Sequence, residues 1–332
     1  MRKILFSLLL ITLSVSGCES AAGTTDRVTI SVQNAEPGAP VKFGIPFPKG
    51  ELYSQDRVRV LNARGEEIAS QLTTVNTWEP AGESIKWLWV FFFADESEKY
   101  QIEYGDGVQR TVFTENPIEF KNNQRVNGFA EIHTGPLFLR VDKGGSGFID
   151  RVQYNPDMDG FSEEHTVVSG IAGRGSFLDL LDDAGPDTSR AVIHQHFIEK
   201  GSGPMHAILR IEGEYEYERE EHENSPFVTY IHAYAGKPFV RVLHTITYTG
   251  IPDQSDPLNG YQHPEIATQT ERILSEAGRS LDEGLTRPND RIAGMGFGLQ
   301  YHLDGDKQFK TALRDGKWWE EGSVSYIESA IE

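Results

Sequence analysis

The amino-acid sequence predicts an all-β protein that is built as a sandwich or a barrel. Apolar and polar residues alternate over short runs, and turns rich in Gly, Asn and Pro separate these runs. Many short strands joined by such turns are typical of sandwiches and barrels. Only residues 264–284 lack the pattern, and there we expect a short helix or a loop excursion.

The N-terminus predicts export. Arg2 and Lys3 precede an apolar run from Ile4 to Val15, which is too short for a stable transmembrane helix and is typical of a secretory signal. Small residues then lead to Cys18, the chain's only cysteine, and this arrangement resembles a bacterial lipobox. The alternative is an ordinary signal peptide with an incidental cysteine.

The lipobox resemblance implies cleavage after Gly17 and lipidation of Cys18, so residues 1–17 are the predicted signal and residues 18–27 a tether. The protein is then expected in the cell envelope, anchored to a membrane through its lipid. Glu19 at the following position favours the outer membrane, by analogy with that class. A single cysteine excludes an intramolecular disulfide framework, so the fold must depend on core burial.

Charge limits the partners. The formal net charge of −19 argues against sequence-independent nucleic-acid binding, which needs a basic surface. An acidic polysaccharide is still an expected partner, because a local basic pocket acts within the Debye length, ~8 to 10 Å in physiological salt. Chain length suggests two domains at roughly 150 residues each. Composition changes near residue 115, which predicts domains at 28–115 and 116–332.

In the first predicted domain, residues 28–32 and 58–60 alternate as half-buried strands do. The run at 84–95 is apolar on both faces, and such a strand is usually central and covered on both sides. Core packing is therefore favoured for its tryptophans over stacking against a sugar. One face carries Ile85, Trp87, Trp89 and Phe91, and the other carries Leu88, Val90 and Phe92.

The second predicted domain contains further short strands. They are predicted at 137–142, 148–154, 191–199, 205–216, 226–235, 238–249 and 293–302.

A family resemblance supports these divisions. Residues 28–52, 58–78 and 83–95 resemble the N-terminal domain of the exo-rhamnogalacturonan lyase / YetA-like family. Residues 133–145, 211–218 and 234–250 are similar to its central β-sandwich. The first-domain motif is carried by Gly38, Pro40, Val41, Phe43, Gly44, Pro46, Phe47, Pro48, Gly50, Gln71, Trp78, Ser84, Trp87 and Leu88.

The resemblance implies a small β-barrel, a β-sandwich and then a large α/α toroid, acting on uronic-acid polysaccharides such as rhamnogalacturonan by β-elimination. Some ulvan-degrading lyases are similar in layout. Here no helical array follows before Glu332, so we expect a fragment of a longer lyase or a truncated member without the toroid. The rival hypotheses are a non-catalytic carbohydrate-binding surface lipoprotein and a purely structural accessory module.

Histidines cluster in the predicted hairpin of residues 191–199 and 205–213. Residues two apart on a strand share a face, so the apolar odd-numbered side chains are predicted to face the core. The even-numbered His194, His196, His206 and Arg210 would then share the polar face. The next hairpin adds Tyr230, His232 and Tyr234, with Arg241 and His244 on the return strand, where the alternation is less regular.

Such a set suits β-elimination at a uronate. The carboxylate must be neutralised by Arg, His, a protonated acid or Ca²⁺, and a base must remove the C5 proton. Histidine can be that base, and so can tyrosine if a cation lowers its pKa. The alternatives are an ordinary solvated sheet face and a structural zinc site. The candidate catalytic residues are His194, His196, His206, Arg210, Tyr230 and His232.

No cofactor is clearly indicated, and calcium is the alternative. Residues 155–160 begin like a calcium loop, but Thr166 occupies the position where such a loop places a bidentate Glu. An acidic β-turn is the favoured interpretation.

Overall fold

The structure is a computed structural model that describes residues 25–33, 36–79, 82–182, 184–220, 222–249, 291–302, 308–309 and 322–323. The predicted signal, its lipidation site and the segment 264–284 lie outside these residues. Within the described part of the chain, no helix has the length and apolar character needed to span a bilayer.

The first unit is a barrel-like pair of antiparallel sheets. One sheet has the order β1-β7-β3-β4, and the other has the order β2-β6-β5. The strands are β1 (Asp26–Ser31), β2 (Pro40–Pro46), β3 (Val58–Leu61), β4 (Glu67–Ile68), β5 (Ser70–Thr77), β6 (Ile85–Phe93) and β7 (Lys99–Tyr104), with a 3₁₀ turn at Gln55–Arg57.

Strand β6 is central, as its sequence predicts, and divides two environments. Leu88, Val90 and Phe92 are fully buried in the core of the barrel. On the opposite face Phe91 is buried against the second unit, whereas Trp87 is 40% exposed. The strand is therefore covered on both sides only where the two units meet.

The second unit is a β-sandwich. A sheet with the order β20-β12-β11-β10-β9-β8 accompanies two others, β15-β16-β17-β18 and β14-β13-β19. Its strands are β8 (Glu119–Asn122), β9 (Phe129–His133), β10 (Leu137–Asp142), β11 (Arg151–Tyr154), β12 (Thr166–Gly170), β13 (Ser176–Asp182), β14 (Gly185–Asp187), β15 (Arg190–Ile198), β16 (His206–Glu216), β17 (Ser225–Tyr234), β18 (Val240–Ile246), β19 (Arg291–Phe297) and β20 (Leu299–Tyr301). A 3₁₀ turn lies at Glu163–His165, and β21 (Gln308–Phe309) pairs with β22 (Gly322–Ser323).

The all-β prediction is confirmed, and so is the order of barrel and sandwich. The sandwich core is aliphatic and lies between its sheets, where side chains such as Leu139, Leu209, Ile211 and Ile231 are fully buried. The proposed domain boundary near residue 115 stays a prediction.

A β-bulge in β15 overturns the expected register of the histidine hairpin. Ile193 pairs with Gly213, but Gln195 pairs with Glu212, so His194 is the inserted residue. An inserted residue reverses which face every later side chain of the strand takes. His196 therefore lies opposite Ile211 and is fully buried.

Candidate functional site

Four aromatic rings meet where barrel strand β6 contacts the sandwich sheet β15-β16-β17-β18. Phe91 stacks on His206 with ring centroids 4.9 Å apart, and Tyr234 stacks on His206 at 5.2 Å. Because His206 pairs with Tyr234 across β16 and β17, both side chains point the same way, toward the barrel. His232 completes the group from β17.

His206 and His232 share a hydrogen bond within one plane. Nε2 of His206 lies 3.0 Å from Nδ1 of His232, and the ring planes differ by 17°. The centroid separation of 5.2 Å exceeds this nitrogen–nitrogen distance by about two imidazole radii, so the rings meet edge to edge. This geometry directs one ring proton along the line between the two nitrogens.

Burial keeps both imidazoles neutral near neutral pH. Loss of solvent, reinforced by the charge of Lys42, lowers the pKa of His206 from 6.5 to about 3. Loss of solvent, with Lys42 and Arg241 adding to it, lowers the pKa of His232 from 6.5 to about 4. Both rings are therefore weak bases that hold one ring proton each.

Two cations border this histidine pair. Arg241 is the direct cross-strand neighbour of His232 on β18, and Lys42 extends from barrel strand β2 with its ammonium 4.2 Å from the ring centre of Trp89. Partial burial lowers the pKa of Lys42 below its ordinary value. Among the described residues neither cation forms a salt bridge. We call Lys42, His206, His232 and Arg241 the basic cluster.

One carboxamide holds the two units together beside the basic cluster. Gln71 Oε1 accepts hydrogen bonds from the backbone N–H groups of Met205 and His206, both at 2.9 Å. Its Nε2 donates to the carbonyls of Gly201, at 2.9 Å, and His206, at 3.1 Å. Gln71 comes from barrel strand β5 and thereby fixes the start of sandwich strand β16.

The expected histidine face is wrong at one position. His196, predicted on the polar face, is buried in the interior because of the bulge, and desolvation lowers its pKa. His194 is exposed and lies 3.4 Å from Glu214 at the bulge itself. Neither histidine belongs to the basic cluster, and any catalytic role for them stays a prediction.

Arg210 and Tyr230 form a second group on the same sheet face as His232. They pair across β16 and β17, and the Arg210 guanidinium lies 5.5 Å from the ring centre of Tyr230. Glu199, at 3.3 Å, and Glu212 both form ion pairs with Arg210. Unlike Lys42 and Arg241, this arginine is therefore already neutralised.

His244 belongs to the core rather than to the site. It pairs with Thr229, whose hydroxyl lies 2.7 Å from Nδ1, while the hydroxyl of Tyr215 lies 2.8 Å from Nε2. Burial lowers its pKa to about 4. Both ring nitrogens thus have partners inside the sandwich.

The structure gives no support to the two metal alternatives. His194, His196 and His206 do not converge, and within the described ranges no group of three or more His, Cys, Asp or Glu side chains is arranged to hold a metal ion. In the Asn155 turn, the Asn155 amide donates to Asp159 Oδ1 at 2.7 Å and to the Gly160 carbonyl at 2.6 Å. These bonds are those of a closed turn.

Lys42 was not predicted from the sequence. It lies 190 positions before His232 in another domain, and the periodicity of one strand carries no information about such a contact. Gln71 and Gly44 stand in the family motif, but their roles emerge only in the structure. A Cβ on Gly44 would collide with the indole of Trp87.

Comparison with known proteins agrees with this architecture. Residues 29–104 match the family described as the PcRGLX-like N-terminal RIFT barrel domain. Residues 123–261 match the family described as the PcRGLX-like protein central beta sandwich domain. The two matched regions include Lys42 and Trp89 in the first, and His206, His232 and Arg241 in the second.

A similar curated protein is the "Uncharacterized protein YetA" of Bacillus subtilis (strain 168). The two sequences are 26% identical over 215 residues. This alignment covers 62% of the present chain but only 23% of YetA. The chain thus spans about a quarter of the length of this relative.

Proposed function

Since this chain belongs to the PcRGLX-like, or YetA-like, family of rhamnogalacturonan lyase-like proteins, we propose that it acts in the breakdown of an acidic polysaccharide. The proposed substrate contains uronate units, as rhamnogalacturonan and ulvan do. The proposed reaction is β-elimination, carried out by this chain or by a longer enzyme of which it is the barrel and sandwich.

The observation that carries the proposal is the basic cluster. In a chain with a net charge of −19, Lys42 and Arg241 lie beside His232 without a carboxylate partner in the described structure. Unpaired cations beside buried neutral groups form a site for an anion, because the local field outweighs distant charge within a Debye length. A uronate carboxylate is the anion that the family's chemistry supplies.

The proposed roles follow from position. Lys42 and Arg241 neutralise the carboxylate, which stabilises the negative charge that develops when the C5 proton leaves. Tyr230, two positions before His232 on the same strand face, is about 6.7 Å away along β17, comparable to the width of one sugar ring. Tyr230 is therefore the proposed base, because both histidines are weak bases. In the proposed step its phenolate accepts the C5 proton, the C4–O bond to the leaving sugar breaks, a C4=C5 double bond forms, and the resulting phenol returns the proton to the leaving oxygen.

Binding and catalysis can be tested together. Purified residues 19–332 are mixed with oligogalacturonate, rhamnogalacturonan or ulvan fragments, and calorimetry and ultraviolet absorbance of the unsaturated uronate product are recorded. We expect Lys42→Gln and Arg241→Gln each to weaken binding about tenfold, since a hydrogen bond to a charged group contributes about 1.5 to 3 kcal/mol. Added salt should weaken binding as well.

Matched controls separate the site from the general charge. Lys99→Gln removes an exposed lysine from the other barrel sheet, and Arg151→Gln removes an arginine from another sheet of the sandwich. Both should leave affinity within about twofold, as expected for surface changes of about 0.5 kcal/mol or less. Equal losses in all four variants would contradict a local site.

A second candidate function is carbohydrate binding without catalysis. The specific observation in its favour is the low pKa of His206 and His232, about 3 and about 4, which suits hydrogen bonding better than proton abstraction. Retained affinity with no rise in ultraviolet absorbance for any of the polymers would favour this candidate over the lyase.

The proposed location is the cell envelope, where a lipid at Cys18 anchors the protein to the outer membrane. The support comes from the sequence of residues 1–19. Labelling with a radioactive fatty acid should mark the full-length chain, and Cys18→Ser should abolish the label and release the protein from membranes. A labelled Cys18→Ser variant would contradict the proposed anchor.

A further inference from the structure

The two imidazoles of the basic cluster are not equivalent. His206 is 2% exposed, and in the described structure its Nδ1 is fully buried without a hydrogen-bond partner. His232 is half-buried, and its Nε2 neither bonds to a described residue nor belongs to the buried unpaired atoms. The open edge of the pair is therefore Nε2 of His232.

Only one arrangement of the ring protons avoids a buried unpaired N–H group. If His206 carries its proton on Nε2, it donates to Nδ1 of His232 across 3.0 Å, and its own buried Nδ1 is a lone pair. The opposite arrangement would leave a buried N–H of His206 without an acceptor. Buried unpaired N–H groups are rarer than buried under-satisfied acceptors, so the first arrangement is the stable one.

We propose that His206 is a positioning residue that keeps the proton of His232 on Nε2, so that the basic cluster offers only hydrogen-bond donors to its ligand. Donation from His206 occupies Nδ1 of His232, and a neutral imidazole with an accepting Nδ1 must be protonated at Nε2. Lys42 and Arg241 have donors and no acceptor. These three side chains present ammonium, guanidinium and imidazole N–H groups together.

A site made of donors selects the ionised carboxylate. Both oxygens of a uronate accept hydrogen bonds, whereas its methyl ester has no charge and its ester oxygen is a poor acceptor. The substrate class is therefore the unesterified uronate, and methyl-esterified units should bind more weakly. This selectivity rests on the proposed function, but the protonation of His232 does not.

The ring protons can be observed without any ligand. Long-range ¹H–¹⁵N correlation spectra of residues 19–332 distinguish protonated from unprotonated ring nitrogens, with assignment by His206→Gln and His232→Gln. We expect protonated Nε2 and unprotonated Nδ1 on both His206 and His232. A protonated Nδ1 on His232 would overturn the proposal, even if saccharides bind.

Selectivity gives a second, independent test. We expect oligogalacturonate to bind about 10- to 100-fold more tightly than its methyl ester, since charge-assisted hydrogen bonds contribute about 1.5 to 3 kcal/mol. In His206→Gln the amide can replace the Nε2–H donor and should keep this ratio within about threefold. His206→Phe keeps a stacked ring without a donor and should lower the ratio about fivefold or more.

The outcomes separate this inference from the proposed function. The predicted spectra without binding of any uronate would reject the function and leave the positioning role standing. Equal affinity for acid and ester in the wild-type protein would overturn the donor-only site. A loss of discrimination in His206→Gln together with retained discrimination in His206→Phe would show that packing, rather than proton position, is what His206 supplies.

Discussion

Replacing Gln71 by leucine should be among the most damaging single changes in the barrel. The side chain is 7% exposed, and its carboxamide forms hydrogen bonds with Met205 N, His206 N, Gly201 O and His206 O at 2.9 to 3.1 Å. At about 1 kcal/mol net for each bond, their loss should lower the free energy of unfolding by about 3 to 5 kcal/mol. Leucine fills a similar volume, so the loss would come from the four unpaired backbone groups rather than from a cavity.

The glutamate variant divides this effect into two halves. Gln71→Glu keeps an acceptor for the two N–H groups but sets a carboxylate oxygen against the two carbonyls, so a loss of about 2 to 3 kcal/mol is expected. Urea unfolding followed by tryptophan fluorescence measures each value. Gln101→Leu is the control, because Gln101 is a half-buried barrel glutamine in the other sheet, and it should change stability by about 0.5 kcal/mol or less. A loss below about 1 kcal/mol for Gln71→Leu would refute the interdomain role of this side chain.

Three further predictions concern titration and packing. The pKa values of His206 and His244 are depressed from 6.5 to about 3 and about 4, so the unfolded state binds their protons first as the pH falls. The free energy of unfolding should therefore have its full value above about pH 6.5 and fall as the pH drops through 4. His244→Gln should reduce this pH dependence, measured as the urea midpoint at each pH across that range. Glu103→Gln should lower the free energy of unfolding in urea by about 2 kcal/mol, because this carboxylate is 1% exposed and accepts hydrogen bonds from the guanidinium of Arg59 at 2.6 to 2.7 Å. His196→Ala should lower the melting temperature by leaving a cavity, whereas His194→Ala should not, and the reverse order would contradict the bulge.

The fold could be predicted from the sequence because its evidence is local. The strands predicted from apolar alternation agree with the structure within about three residues, and the doubly apolar run correctly indicated the central position of β6. Strands β8, β9, β12, β13 and β14 were not predicted. The register of β15 could not be predicted, because the apolar spacing of Ile193 and Phe197 suggested an uninterrupted strand. A bulge at His194 shifts Phe197 to the outer face opposite Arg210 while leaving the sequence pattern unchanged.

The site was only partly predictable. His206, His232 and Arg241 could be selected by residue type, and the hairpin pairing of β16 with β17 brought the two histidines near one another. What the sequence could not supply was the barrel's contribution, because Lys42 reaches the histidines only through docking of the two domains. Burial also changes the chemistry, since imidazoles that suggested a base in the sequence are weak bases in the structure.

The basic cluster exists only when the two domains are docked. Lys42 and Trp89 belong to the barrel, while His232 and Arg241 belong to the sandwich, so neither domain forms the site alone. Docking also removes solvent from His206 and thereby fixes the ring proton on which the donor-only character depends. Because a residue such as Gln71 bonds directly to the backbone of His206, it should influence ligand selectivity as well as stability. Stability and the proposed recognition are thus coupled through the same few hydrogen bonds at the junction of the two domains.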